Sequence, residues 1–140
     1  MRIVLDSNIF FSALIKDSIL RKIILEYNDY FLFPSFIFQE IKEHKEELIE
    51  KTGLEKAEFR TLIKLILKKI KIVPTEVLNE FKDEALEIVK DIDKDDVIFI
   101  ACALAYENSL IWSEDKKLKK QNKVEVYNTK EIMELIDFKI

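Results

Sequence analysis

The chain has 140 residues, of which 49% are hydrophobic and 36% charged, and its formal net charge is −4. This length suits one domain over residues 1–140 rather than two. The single cysteine excludes an intramolecular disulfide. The negative net charge excludes a protein that holds nucleic acid by its overall charge. Because no apolar run reaches the length of a membrane span and the N-terminus lacks the charged and apolar regions of a signal peptide, we expect a cytoplasmic protein without a membrane segment.

The first half of the chain alternates short apolar runs with longer amphipathic segments, a pattern that indicates strands followed by helices. The predicted elements are, in chain order, a strand over residues 3–5, a helix over 9–27 interrupted near residue 17, a strand over 30–33 and a helix over 54–70. Ser35, directly after Pro34, is a candidate N-cap for one further helix, which carries Phe36, Phe38, Ile41 and Leu48. Thr52 and Gly53 mark the clearest break between helices.

The second half of the chain repeats this alternation. The predicted elements are, in chain order, a strand over residues 71–73, a helix over 76–90, an acidic turn over 91–96, a helix over 97–106, strands over 109–112 and 124–127, and a helix that is capped at Asn128 or Thr129 and ends near residue 137. The side chains expected to face the core from the helix over 76–90 are Val77, Leu78, Phe81, Leu86 and Val89. The helix over 97–106 is apolar almost all round, which predicts burial on most faces. Five short β runs that alternate with helices favour an α/β fold with a parallel sheet covered on both faces.

Four acidic residues fall where an open parallel sheet places its functional sites, beyond the carboxyl ends of the strands. Asp6 directly follows the first strand, Asp115 follows the fourth by three residues, Glu40 lies on the helix after the second, and Asp96 opens the buried helix. Two like charges about 4 Å apart repel by roughly 4 kcal/mol at an effective dielectric near 20, so such a group persists where protons or cations neutralise it. Carboxylate oxygens are ligands that favour Mg²⁺ or Mn²⁺.

Each of these carboxylates also has a plain structural interpretation. Asp6 and Asp96 both stand where a helix N-cap is expected. Glu40, taken alone, suits a solvated position on a helix, and Asp115 suits a surface loop because two lysines follow it. The sequence pattern alone leaves both interpretations open.

Four features in the same order resemble the motifs of PIN domains. Residues Val4–Phe10 resemble the first motif, an Asp after strand one followed by Ser or Thr and then Asn. Asp96–Leu104 resembles the third motif, an Asp that leads an Ala-rich buried helix, and Trp112–Leu118 resembles the fourth. Glu40 fits the lone helix carboxylate between the first and third motifs. The resemblance extends over essentially the whole chain and points to the VapC-like ribonucleases and toxins of this family.

The third motif departs from the family pattern at one place. The family usually has two alanines where Ile100 and Ala101 stand, a change that affects packing and not ligands. Asp93 and Asp95 leave open which carboxylates share the metal site, and the register with the buried helix favours Asp96.

The resemblance implies a PIN-like three-layer α/β/α sandwich with a central, mostly parallel sheet of about five strands. It also implies cleavage of single-stranded RNA with Mg²⁺ or Mn²⁺, and the catalytic and metal-binding residues are then Asp6, Glu40, Asp96 and Asp115. The residues expected to orient these carboxylates or to contact the substrate are Ser7, Asn8, Ser113 and Lys116. For Ser7 and Asn8, hydrogen bonds to the local turn backbone are an equal alternative.

The resemblance implies partners as well. Many small PIN proteins are toxins that a partner antitoxin, a peptide or a protein, neutralises by covering the acidic groove, and such toxins often form homodimers. A housekeeping nuclease fits the sequence equally well. The main alternative is a catalytically silent PIN fold that binds RNA or another protein; its usual sign is loss of the carboxylates, and all four positions are retained here.

Overall fold

The computed structural model describes residues 1–139, and at its centre lies a sheet of five parallel strands. The strands are β1 (Arg2–Leu5), β2 (Phe31–Pro34), β3 (Ile70–Val73), β4 (Ser109–Trp112) and β5 (Glu125–Tyr127). They lie in the order β3-β2-β1-β4-β5. The central strands β2, β1 and β4 are buried along almost their whole length, because a parallel sheet with helices on both faces leaves no strand face to solvent.

Helices connect the strands and complete the outer layers. They are α1 (Ser7–Ile15), α2 (Ile19–Glu26), α3 (Ile37–Glu43), α4 (Lys45–Thr52), α5 (Lys56–Leu67), α6 (Thr75–Val89), α7 (Val97–Leu104) and α8 (Thr129–Leu135), with short 3-10 helices at Lys94–Asp96 and Lys116–Lys120. The apolar helix α7 contacts β1, β2 and β4 and is buried from Phe99 to Ala103, as its composition predicts. The predicted α/β/α sandwich is confirmed, and its sheet is parallel throughout.

The structure corrects the prediction of a single helix after Ser35. The Ser35 side chain does not cap a helix; its hydroxyl instead lies 3.1 Å from the Thr75 hydroxyl. Helix α3 begins after Phe36 and is separated from α4 at His44, whose backbone (φ −111°, ψ 16°) leaves the helical region. A contact between residues 40 positions apart carries no local sequence signal, which explains the error.

Two further predictions are wrong, and both concern apolar residues at helical spacing. Ile70 was expected to end the helix now seen as α5, but it begins β3 and pairs with Phe31. Leu86 was expected to face the core, yet it is 40% exposed, and Ala85 is the buried residue on that turn of α6. For Ile70 the deciding partner, Phe31, lies far away in the chain.

Other boundaries are confirmed. The break near residue 17 separates α1 from α2, and Arg21 stabilises it by donating hydrogen bonds to the Ala13 and Leu14 carbonyls at 2.8 and 3.0 Å. Asn128 caps α8 through the Glu131 amide at 2.9 Å. Most of the buried apolar residues form one connected core, which does not include Leu48 of α4 and Phe59 of α5. The assignment of residues 1–140 to a single domain stays a prediction. Within residues 1–139, no helix has both the length and the apolar character needed to cross a membrane.

Gly53 ends α4 in the left-handed region with φ 70°. A β-carbon at this position would meet nothing within 4 Å, so the cost of adding one comes from the backbone conformation alone. We predict that Gly53→Ala lowers the free energy of unfolding by about 1 kcal/mol in a urea titration. Gly53→Asn should cost less, since Asn tolerates this conformation, and equal losses in the two variants would contradict the explanation.

Candidate metal centre

The carboxyl ends of β1 and β4 bring distant acidic residues to one edge of the sheet. These strands are neighbours, with Leu5 paired to Trp112, so the residues that follow each strand lie side by side. The Asp6 amide donates to the Trp112 carbonyl at 3.2 Å. Ser113 lies beside both segments: its hydroxyl accepts a hydrogen bond from the Asp115 amide at 3.0 Å, and its side chain lowers the pKa of the Asp6 carboxyl.

The start of α7 adds further carboxylates to this edge. One oxygen from each of Asp93, Asp96 and Asp115 lies within 4.8 Å of the other two. Asp93 also caps its own 3-10 helix by accepting from the Asp95 amide at 3.0 Å. Two oxygens bound to one Mg²⁺ at 2.0–2.1 Å are roughly 3–4 Å apart, so small side-chain adjustments would let this group hold one ion.

Asp96 carries the strongest sign that the group takes a cation. Its Oδ2 atom is buried and has no hydrogen-bond partner among residues 1–139. Burial, followed in importance by the charges of Asp93, Asp115, Asp6 and Asp95, raises the pKa of the Asp96 carboxyl from 3.8 to about 6. The N-cap interpretation fails for Asp96, since its side chain makes no capping hydrogen bond to α7. Because buried polar atoms nearly always have partners, an unpaired carboxylate oxygen among other carboxylates fits a hard divalent cation.

Asp6 has one of the two roles that the sequence left open, that of a helix N-cap, and it lies beside the acidic group. It caps α1 by accepting from the Ile9 amide at 2.9 Å, and its side chain is buried. Burial raises the pKa of the Asp6 carboxyl; hydrogen bonds with Ser113 and Ile9 lower it, and the charges of Asp115 and Glu114 raise it. Since Asp6 also contributes to the raised pKa of Asp96, the two carboxyls belong to one electrostatic group.

Glu40 lies apart from this group. It is on α3, where its carboxylate is 38% exposed and lies 3.6 Å from the His44 Nε2 atom. It is not among the three carboxylates that meet within 4.8 Å. The structure therefore brings Asp96 and Asp115 together, adds Asp93 and places Asp6 beside them, while a role for Glu40 as a ligand stays a prediction.

The other predicted site residues surround this edge. Ser7 and Asn8 form the first turn of α1, where Ser7 is half-buried and Asn8 exposed. Lys116 is exposed and follows Asp115, which caps the second 3-10 helix through the Lys117 amide at 2.9 Å. The sequence left open whether Asp93 or Asp95 joins the acidic group, and the structure places Asp93, the N-cap of the first 3-10 helix, with Asp96 and Asp115.

Sequence reasoning missed a hydrogen-bond chain that holds the Asp115 segment against α8. The Glu114 carboxylate accepts from the Thr129 amide at 2.6 Å and from its hydroxyl at 2.8 Å. The same hydroxyl lies 3.0 Å from the indole Nε1 of Trp112, which is fully buried. These bonds connect β4, the loop after it and the start of α8 into one unit.

An α/β/α sandwich whose sheet is parallel throughout, with carboxylates grouped at its carboxyl edge, is the architecture that the sequence motifs predict. Residues 4–135 match the family model described as PIN domain, and the chain therefore belongs to the PIN domain family. Its fold is similar to that of a chain in the crystal structure of VapBC2 from Rickettsia felis bound to a DNA fragment from their promoter. The two are 18% identical with a TM-score of 0.65, and the match covers 91% of this chain and 98% of that one. A comparison with curated proteins gave no significant match.

The raised pKa of Asp96 predicts that its charge destabilises the metal-free protein. Because the folded pKa of about 6 exceeds the ordinary value of 3.8, the folded state binds the proton more tightly, and the free energy of unfolding rises as the pH falls through this range. In EDTA at pH 8, the free energy of unfolding of Asp96→Asn should exceed that of the wild type by on the order of 1–2 kcal/mol. This difference is smaller than the full pKa shift implies, because solvent screens a carboxyl that is only partly buried. The gain should disappear near pH 4 in urea titrations.

Asp95→Asn is the matched control, since Asp95 is exposed on the same 3-10 helix. It should change the unfolding free energy little at either pH. A destabilised Asp96→Asn protein at pH 8 would contradict the electrostatic explanation.

Thr129 should matter for stability because it is the shared partner in the chain of hydrogen bonds. Thr129→Val leaves the buried Trp112 indole N–H without its acceptor and removes one bond to Glu114. We predict a loss of about 1–3 kcal/mol in the free energy of unfolding, measured by urea titration. Thr129→Ser keeps the hydroxyl and should retain most of the stability; equal losses in both variants would show that the hydroxyl is not the important group.

Proposed function

We propose that this PIN domain is a divalent-metal-dependent ribonuclease that cleaves phosphodiester bonds in single-stranded RNA. The observation that carries the proposal is the buried, unpaired Oδ2 atom of Asp96 within a group of carboxylates. A chain selected for stability alone would have given this oxygen a donor or replaced it. Membership of the PIN domain family supports the same activity.

The residues proposed to hold Mg²⁺ or Mn²⁺ are Asp96, Asp115 and Asp93, with Asp6 beside them. When bound, the cation acidifies a water molecule and neutralises charge that develops on the phosphate. Ser113 keeps the Asp6 and Asp115 segments in register through its hydrogen bonds. Glu40 is retained in the proposed catalytic set on the family resemblance alone.

The remaining site residues are proposed to act on the RNA or on the carboxylates. Lys116 is exposed next to Asp115, where its charge would attract a backbone phosphate towards the acidic group. Ser7 and Asn8, at the start of α1, stand directly after Asp6 and would orient its carboxyl or contact a phosphate.

We further propose that the protein is the toxin of a toxin–antitoxin pair. The likeness of its fold to a chain of the VapBC2 structure, over 98% of that chain, supports this proposal. An antitoxin peptide or protein would then cover the acidic edge, and the protein would form a homodimer and act in the cytoplasm.

Expression of the wild-type protein in growing bacteria should arrest growth, and expression of Asp96→Asn should not. Unimpaired growth with both proteins would favour a housekeeping nuclease. Light scattering on the purified chain tests the homodimer.

The nuclease proposal is tested with labelled single-stranded RNAs incubated with Mg²⁺, with Mn²⁺ and with EDTA. We expect cleavage by the wild type with either metal and none in EDTA. Asp6→Asn, Asp93→Asn and Asp96→Asn should each lower the rate by about 10²-fold or more, because each removes charge from the group that holds the cation.

Asp95→Asn again serves as the matched control and should cleave at a rate within about threefold of wild type, in line with a surface substitution. Cleavage that persists in EDTA, or in Asp96→Asn, would refute the metal site. Binding of RNA without cleavage under any metal would instead favour the catalytically silent binding module.

A further inference from the structure

A cavity of about 270 Å³ opens between the start of α3, the first half of α6 and the start of α7. Its walls are mainly apolar and include Phe36, Val97 and Ile98. Its polar groups are the hydroxyls of Ser35 and Thr75, the Asn79 amide and the Lys82 amine. Of the described residues that line the cavity, only Lys82 is charged, so this space is free of the acids that dominate the neighbouring edge.

The cavity and the acidic group share the start of α7. Val97 and Ile98, which line the cavity, directly follow Asp96 in the chain. Ser35 follows β2 and Thr75 follows β3 by two residues, so both hydroxyls lie at the same edge of the sheet as Asp6. With neighbouring strands about 4.8 Å apart, the β2–β3 end lies about two strand spacings, or ~10 Å, from the β1–β4 end. A ligand that reaches from the cavity to the acidic group is therefore of nucleotide size.

The groups in the cavity suit a nucleobase. Aromatic and aliphatic side chains contact the faces of an unstacked base, and amide or hydroxyl groups bond its edge. The Ser35 and Thr75 hydroxyls lie 3.1 Å apart and either one can be the donor, so the pair can offer a base edge a donor or an acceptor. Asn79 is exposed on α6 and provides both kinds of group from one side chain.

A second hollow continues from this cavity along α3. It shares Ser35, Phe36 and Thr75 with the first, and it extends past Lys42 and the 54% exposed ring of Phe38. Lys42 lines the second hollow together with Glu43, whereas Lys82 lines the first cavity without an acid, and all three residues are exposed to solvent. The Lys82 cation beside an apolar cavity suits a polyanionic strand whose base enters the cavity.

We propose that the cavity between α3, α6 and α7 binds a nucleobase of the RNA strand, adjacent to the phosphodiester held at the acidic edge. This inference rests on the proposed ribonuclease function and assigns the part of the site that holds the strand. Asn79, Ser35 and Thr75 contact the edge of the base, Phe36 contacts its face, and Lys82 attracts the backbone.

The test measures binding apart from cleavage. Fluorescence anisotropy gives the Kd of short labelled RNAs for the full chain carrying Asp96→Asn, in EDTA so that no strand is cut. Each base-containing RNA is compared with an abasic strand of the same length. We expect the abasic strand to bind about tenfold more weakly, the size of effect typical of one stacked base.

Two cavity variants distinguish the contribution of the base to RNA binding from that of the backbone. Asn79→Ala should reduce the difference between base-containing and abasic strands, whereas Lys82→Met should weaken the binding of both strands. The matched controls are Glu80→Ala, an exposed neighbour on α6, and Lys64→Met, an exposed lysine on α5 that does not line the cavity. Neither control should change the ratio of the two Kd values.

Equal affinity for base-containing and abasic strands would overturn the proposal, and so would a ratio that Asn79→Ala leaves unchanged. Variants that keep their RNA affinity but lose affinity for a co-expressed protein partner would also overturn it, and would assign the cavity to that partner. Metal-dependent cleavage by the wild type, measured separately, shows whether a failure belongs to the cavity alone or to the proposed function as well.

Discussion

The acidic edge of this PIN domain depends on one carboxylate oxygen that is buried without a hydrogen-bond donor among residues 1–139. Asp96 lies at the start of α7, where Asp93 and Asp115 approach within 4.8 Å, and burial leaves its Oδ2 atom unpaired. The parallel sheet imposes this convergence, because the carboxyl ends of β1 and β4 meet at one edge. The apolar helix α7 then fixes Asp96 there, since its residues pack against three strands and cannot turn away from the core. A divalent cation would relieve both the repulsion and the missing hydrogen bond.

The surrounding contacts hold the acidic residues in position but do not neutralise their charge. The Ser113 hydroxyl accepts from the Asp115 amide and its side chain lowers the pKa of the Asp6 carboxyl. The Glu114 carboxylate attaches the same loop to α8 through Thr129. The charged groups that most strongly shift the pKa values of Asp6 and Asp96 are all acids. At the cavity beside the start of α7, Lys82 is the charged residue among the described residues of the lining. We thus propose that the acids hold a cation and that the apolar cavity beside them holds a base of the strand.

The sequence predicted those features that depend on local pattern. The residues of β4 match the predicted span, and Asp6 and Asp115 were located because acids that follow strands collect at one edge. Features that depend on distant partners were not predictable in this way. Ser35 bonds to Thr75 instead of capping a helix, and Ile70 joins the sheet although its spacing is helical. Asp93 enters the acidic group because of a 3-10 helix that composition does not reveal.

The most direct test of the metal site is anomalous diffraction from a crystal of the full chain soaked in Mn²⁺. We expect an anomalous peak about 2.1 Å from the Asp96 Oδ2 atom and within the same distance of an oxygen of Asp93 or Asp115. An ordered group of carboxylates with no peak, or a peak found only at acids elsewhere on the surface, would contradict this expectation.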